Sequence, residues 1–249
     1  MAGHSKWKQI KRKKAVTDQK RGAVFTRLIR EITIAARQGG GDPGGNARLR
    51  TAIEAAKAEN MPLDNIERAV KKGTGELEGI QYEEVTYEGY GPGGAAILIE
   101  ATTDNANRTV AEIRYVFTRL GGNLGASNSV AWMFDRKAQV TVDATKADED
   151  TTLEAALDAG AEDVTRDGDV FLITAPAPQL HTVQDRLKAR KIPVQGAEIA
   201  MLPRSSVKIE GKDAQHLLRL IEALEEMDDV AKVHSNFDID AEAMAAVTG

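Results

Sequence analysis

Six of the nine residues from Lys6 to Lys14 are cationic: Lys6, Lys8, Lys11, Arg12, Lys13 and Lys14, set around the indole of Trp7. Such a run suits one kind of chemistry. Each ammonium or guanidinium that neutralises a phosphate releases a condensed counterion, so the run supplies salt-sensitive affinity for a polyanion. A tryptophan among the cations offers a face on which an unpaired base can stack, which favours a single-stranded or loop target. The competing place for Trp7 is docked on the helical domain that follows. His4 precedes the run, and Lys20, Arg21, Arg27 and Arg30 continue it. These twelve residues form the candidate nucleic-acid-binding set. Farther along, Asp104, Asn105, Asn107 and Arg108 join a strand to a helix. The plainer role of Asp104, Asn105 and Asn107 is to cap free backbone N–H groups. The sharper one makes Asn105, Asn107 and Arg108 a secondary contact.

Other chemistries find less footing. Gly89-Tyr90-Gly91-Pro92-Gly93-Gly94 contains the G-x-G-x-x-G spacing. A dinucleotide site needs a helix N-terminus directly after the third glycine, whereas Ala95 to Glu100 reads as a strand. The glycines are therefore a hairpin turn. His4, His181, His216 and His234 are scattered with no metal-ligand spacing. Acidic groups such as Asp148-Glu149-Asp150 lack the spacing of a calcium loop and read as solvated faces. There is no cysteine, hence no disulfide framework and no thiolate nucleophile. No cofactor, metal, catalytic residue or small-molecule substrate is expected. An enzyme with a site assembled only in space is the weakest of three hypotheses.

The net charge of −5 on 249 residues argues against nucleic acid until it is divided along the chain. Residues 1–72 hold 17 Lys/Arg against 7 Asp/Glu, a net of +10, and the remainder holds 16 against 31, a net of −15. That asymmetry predicts a polyanion-binding end on a body with another task, one that repels nucleic acid so that only the basic end docks. Hydrophobic content of 42 % suffices for globular cores, and aromatics at 4 % leave those cores to Ala, Val, Leu and Ile. No apolar run reaches membrane-span length, and no secretory h-region opens the chain; a cytoplasmic protein is expected.

The elements that must position these residues follow from periodicity. Residues 1–16 are expected to be a basic, mobile arm, since like charges repel. A helix begins near Thr17 or Asp18, bears Val24, Phe25, Leu28, Ile29, Ile32 and Ala36 on one stripe, and ends at Gly39-Gly40-Gly41. A second runs from Asn46. A third opens with Asn60 as cap and Pro62 in its first turn, and stops at Gly73. This makes a helical domain over 17–79. Strands follow at 82–89 and 95–102. A helix opens at the capping box Thr109-Val110-Ala111-Glu112, and Val130, Trp132 and Phe134 alternate as a strand. From 138 the order is strand, helix capped at Thr151-Thr152-Leu153-Glu154 with Leu153, Ala156 and Leu157 on its apolar side, strands around Asp167-Gly168, helix, strand. That is the β-α-β-β-α-β order of a ferredoxin-like unit. A strand at 205–209, a helix and a strand at 230–236 would complete a second such unit with the elements of 95–134. The expected architecture is α+β: a three-helix domain, a discontinuous ferredoxin-like domain (80–134 with 205–240), a ferredoxin-like domain inserted in it (135–204), and an acidic tail (241–249).

Several segments together resemble the YebC/PmpR family, which includes the mitochondrial translational activator of cytochrome c oxidase. They are Met1-Ala2-Gly3-His4-Ser5-Lys6-Trp7, Lys20-Arg21-Gly22 to Arg30-Glu31, Gly39-Gly40-Gly41-Asp42-Pro43, and Asn60-Met61-Pro62 with Asn65-Ile66-Glu67-Arg68-Ala69. Tyr87 to Gly94, Thr103-Asp104-Asn105, Gly121-Gly122-Asn123-Leu124-Gly125 and Trp132-Met133-Phe134 complete the set. The resemblance spans nearly the whole chain and starts at Met1, so the basic N-terminus is read as part of that pattern rather than as a mitochondrial presequence. It implies three domains, two of them ferredoxin-like, and no cofactor. It also implies one of two roles: a DNA-binding transcriptional regulator, or a translation factor that binds ribosomal RNA on the ribosome and relieves stalling at sequences such as proline runs. Arg12-Lys13-Lys14 departs from the His-Arg-Lys of many relatives, keeping charge and losing an imidazole, and Pro43-Gly44-Gly45-Asn46-Ala47 is richer in glycine than usual.

Overall fold

The structure is a computed structural model that describes Trp7, residues 18–240 and Met244. By the density of its contacts the chain divides into two compact units, Met1–Phe134 with Pro203–Gly249, and Asp135–Leu202.

The first unit begins with α1 (Asp18–Gly39), α2 (Ala47–Ala58) and α3 (Leu63–Thr74). Ile32, Ala35, Ala36, Leu49, Ala52, Ala56, Ile66 and Ala69 bury their side chains between them, with Phe25, Leu28 and Ile29 packed alongside. Small residues let the helices approach closely, which is how a core poor in aromatics fills its volume. Asn46 ties the loop: its Oδ1 accepts from Leu49 N–H at 3.0 Å as the N-cap of α2, and its Nδ2 donates to the carbonyls of Ala35 (2.7 Å) and Gly40 (2.8 Å).

Two helix ends differ from the sequence reading. Asn60 does not cap α3. It sits at φ +58° just past α2, donating to Lys57 O while Met61 N–H donates to Ala56 O. That double closure is a Schellman end, and the buried Met61 supplies its apolar contact. Gly73 does not stop α3 either. The stop is Gly75, at φ +83°. Gly73 is buried inside the helix, where a Cβ would lie 2.4 Å from Thr33 O and 2.7 Å from Ala36 Cβ, so its role is the close crossing of α1.

Strands β1 (Glu83–Tyr90) and β2 (Ala96–Thr103) form a hairpin in unbroken register from Glu83↔Thr103 to Tyr90↔Ala96. The glycines at 91–94 are its turn, as read from the sequence. Next come α4 (Ala106–Arg119) and β3 (Asn123–Leu124). After the second unit the chain resumes with β8 (Val207–Lys208), α7 (Gly211–Glu226), β9 (Val230–Ser235) and β10 (Phe237–Asp238). The main sheet has the order β3-β1-β2-β9, with every pairing antiparallel. Ile97 and Ile99 meet Ile113 and Phe117 of α4 and Leu217, Ile221 and Leu224 of α7 in one core.

Three expectations need correction here. The strand expected at 205–209 does not enter the sheet; β8 pairs with β10 in a separate two-stranded parallel ribbon. Its slot is taken by β1, because a partner joined by a five-residue turn costs far less closure entropy than one beyond a long insertion. Residues 130–133 are not a strand: Ala131–Met133 is a 3₁₀ turn, Phe134 opens the first strand of the second unit, and the edge strand is β3. α4 starts at Ala106 with Asn105 as cap, one turn before the expected capping box, and Thr109 is buried within it.

The second unit runs β4 (Phe134–Asp143), α5 (Glu149–Asp158), β5 (Asp163–Asp167), β6 (Val170–Pro176), α6 (Leu180–Ala189) and β7 (Val194–Pro203). Its sheet order β5-β6-β4-β7 is the ferredoxin-like arrangement. Val140, Val142, Phe171, Ile173, Val183 and Leu187 lead its core. α5 is capped by Asp148 rather than Thr151, and it buries Thr152, Ala155 and Ala156. Leu153 and Leu157 lie outward, so the predicted apolar side was rotated: the alanines, not the leucines, fit the close approach to the sheet.

Candidate nucleic-acid interface

Of the twelve residues expected to meet nucleic acid, His4, Lys6, Lys8, Lys11, Arg12, Lys13 and Lys14 lie outside the described residues. Lys20 and Arg21 stand in the first turn of α1. The other three have definite surroundings. Trp7 is 0 % exposed, inside the core of the first α/β sheet with Ile97, Phe117, Leu217, Phe237 and Met244. The indole offered for stacking is thus a packing residue here, because that core gives its large apolar area a place away from water.

Arg27 and Arg30 lie on α1 where it meets the α/β sheet. Arg27 Nη2 donates to the carbonyls of Glu225 and of Met227 (3.4 Å), where α7 ends and a cation is favoured by the helix dipole. Burial lowers the pKa of its guanidinium against the pull of Glu225 and Asp228. Arg30 Nη1 donates to Asp228 O (2.6 Å), Asp229 Oδ1 (2.8 Å) and Thr102 O (3.1 Å), and its guanidinium lies 5.3 Å from the centre of the Tyr82 ring. Both arginines direct Nη donors to the joint between α1 and the sheet. Periodicity placed them on a basic helix and gave no sign of the carbonyls waiting some 200 residues later.

One member of the secondary set, Arg108, reaches the same point. Asn105 Oδ1 accepts from Arg108 N–H at 3.1 Å, the capping role. Asn107 is exposed. Arg108 Nη2 donates to Asp104 Oδ1 (2.8 Å) and Asp229 Oδ2 (2.6 Å), and these bonds raise the pKa of its guanidinium. Asp229, 5 % exposed, also accepts from Thr103 Oγ1 (3.0 Å) and Thr109 Oγ1 (2.7 Å). Burial would push its carboxyl up, yet the bonds from Arg108, Thr109 and Thr103 prevail and hold it below the ordinary aspartate range. Asp229 is therefore the buried anion that joins α1, the end of β2, α4 and the start of β9. Sequence reasoning missed it, since Asp228-Asp229 ends an acidic stretch that looks solvated throughout.

Arg48 makes a second tie of this kind. Its guanidinium grips Glu31 (2.8 and 2.9 Å), Glu84 (2.6 and 3.0 Å) and Gln38 (2.9 Å), linking α2 to α1 and β1. The bond to Glu31 leads in raising its pKa. Elsewhere in the helical domain Lys57, Lys71 and Lys72 are exposed, with no ion pair among the described residues. The exposed side of α3 also carries Asp64 and Glu67 in its opening turns. A helix that begins with two carboxylates is poorly suited to enter a groove by its N-terminal end.

The geometry agrees with the chain's relatives. Residues 5–76 match the family model for the TACO1/YebC protein N-terminal domain, and residues 82–237 match that for the TACO1/YebC second and third domain. A probable transcriptional regulatory protein of Gemmatimonas aurantiaca is 60 % identical over 98 % of this chain and 99 % of its own. Another, from Desulforapulum autotrophicum, is 53 % identical over 99 % of this chain and 100 % of its own. The crystal structure of a conserved hypothetical protein from Aquifex aeolicus superposes with a TM-score of 0.83 at 50 % identity, covering 90 % of this chain and 92 % of that one. The chain belongs to the TACO1/YebC family.

Proposed function

We propose that this protein is a non-enzymatic, cytoplasmic regulator of gene expression that binds nucleic acid through its basic N-terminal segment, acting on transcription by contact with DNA. The observation that carries the reading is the division of charge: a net of +10 on residues 1–72 against −15 on the rest. An anionic body repels phosphate, so the docking orientation is set before contact. The names of the relatives, probable transcriptional regulatory proteins, support the regulatory part. Arg27 and Arg30 support the mechanical part, because they fix α1 to the sheet and so give the arm a firm mount. No helix among the described residues is long and apolar enough to cross a membrane.

If the arm neutralises roughly 5 phosphates, log affinity for duplex DNA falls with log salt at a slope near −4 to −5. Replacing Lys11, Arg12, Lys13 and Lys14 together with Glu should abolish that slope and most of the affinity. Unchanged binding by this variant would overturn the reading.

A second reading, ribosomal RNA on the ribosome, is favoured by one observation. α3 opens on Asp64 and Glu67, so its N-terminal end is poorly suited to read a groove, and phosphate contacts alone do not select duplex DNA. Crosslinking in cells followed by sequencing of both DNA and RNA separates the two. Enrichment of promoter DNA supports the transcriptional reading, and enrichment of ribosomal RNA without promoter DNA replaces it.

A further inference from the structure

The chain has two tryptophans, and the fold treats them oppositely. Trp7 is enclosed, while Trp132 is 62 % exposed at the end of the loop that follows β3. An indole left in water contributes little to folding, so its setting matters. The loop beneath it is held by a buried carboxylate. Glu88, on β1 and 6 % exposed, accepts from the backbone N–H groups of Asn128 (2.7 Å), Val130 (2.7 Å) and Ala131 (2.8 Å). Burial works against the charged form, and these bonds overcome it, holding the Glu88 carboxyl below its ordinary pKa. Tyr90 Oη donates to Ser129 O at 2.9 Å, and Met133 N–H donates to Val130 O at 2.9 Å. The indole itself is oriented, since its Nε1–H donates to the same Ser129 carbonyl at 3.2 Å.

We infer that Trp132 is a preorganised stacking platform for an unpaired nucleobase, a second nucleic-acid contact separate from the basic arm. Its one polar atom is already satisfied within the loop, which leaves the ring face as the part on offer. A locked aromatic gives up little conformational freedom on binding, and base stacking on such a face is tolerant of sequence. The surroundings suit a nucleotide. Ser127 and Asn128 are exposed on the same loop. The exposed Arg204 is brought beside it by its backbone N–H, which donates to Met133 O at 2.9 Å. The loop that carries the ring exposes a hydroxyl and an amide and no large aliphatic side chain, which suits a nucleotide better than an apolar protein surface. The inference rests on the nucleic-acid reading above and adds that the target contains an unpaired base.

The test uses the full chain carrying Trp7→Phe, so that Trp132 is the sole indole reporter. A labelled unpaired oligoadenylate and a blunt DNA duplex are titrated separately, with label anisotropy and indole emission followed together. The expected result is quenching of Trp132 by the unpaired strand and not by the duplex. Trp132→Ala should weaken the unpaired strand by about 5- to 150-fold, the range of base–aromatic stacking, leave duplex affinity unchanged, and be partly rescued by Trp132→Phe. If anisotropy reports binding while Trp132 emission stays constant and Trp132→Ala binds like the parent, the platform is wrong and the arm alone is the interface. Equal quenching by strand and duplex would also overturn it. No anisotropy change with either probe would remove the nucleic-acid reading itself.

Discussion

Asp229 shows how much one side chain holds in this protein. It takes four hydrogen bonds, two of them from guanidiniums on α1 and α4. Asp229→Asn keeps the shape and one acceptor but removes the charge that both arginines face. Stability at pH 7 should fall by about 2–3 kcal/mol, the worth of charge-assisted bonds to a buried carboxylate, measured by urea unfolding. The pH dependence has a definite sign. The folded-state pKa of Asp229 is lowered, so its contribution is present above the unfolded value of about 3.9 and is lost as pH falls through the lower folded value. Below about pH 4 the parent should therefore lose stability more steeply than the Asn variant. Parallel pH profiles would show the aspartate to be a mere bystander. None of this was legible from residues 228 and 229, because the groups that neutralise Asp229 come from Arg30 and Arg108, far away in sequence.

Among the elements, glycine positions separate local from tertiary control. Both Gly73 and Gly75 lie at the end of α3, and sequence chemistry allows either to stop it. Gly75 is the stop, by its left-handed backbone. Gly73 is helical, and helix propensity alone would favour alanine there by about 1 kcal/mol. The added Cβ would meet the Thr33 carbonyl at 2.4 Å. A backbone oxygen cannot swing aside as a flexible side chain does, so α1 and α3 must separate and the clash outweighs the propensity. Gly73→Ala should lower the thermal midpoint despite being a better helix former; a raised midpoint would contradict this packing. The same division explains the rest of the element reading. Strongly periodic helices such as α1 and α7 were visible in the sequence. The start of α4 and the outward leucines of α5 were not, because caps and buried faces are chosen by what packs against them.

For the whole molecule, the question is how the basic end connects to the acidic body. Trp7 stands among the cationic residues by sequence and in the core of the α/β sheet by position. Met244, near the other end of the chain, reaches that same core. Removing a fully buried indole costs about 3–5 kcal/mol. Trp7→Ala should thus destabilise the first α/β sheet by that order, and Trp7→Phe by much less. Retained stability with lost nucleic-acid affinity would return Trp7 to the binding surface. Under the packing seen here, the indole of Trp7 belongs to the α/β sheet that Arg27 and Arg30 also hold.

The amino-acid sequence by itself determined the α+β class, the run of three helices, the β-α-β-β-α-β order of the second unit and the segregation of charge. These depend on periodicity and composition, which are local properties of the chain. Tertiary structure decided which strand fills the slot beside β2, that Arg27, Arg30 and Arg108 serve a joint, and that of two indoles one is enclosed and the other left in water. Those outcomes depend on which distant groups arrive at the same place. An arginine in sequence is only a charge. The carbonyls or carboxylates it meets settle whether that charge remains available for a phosphate.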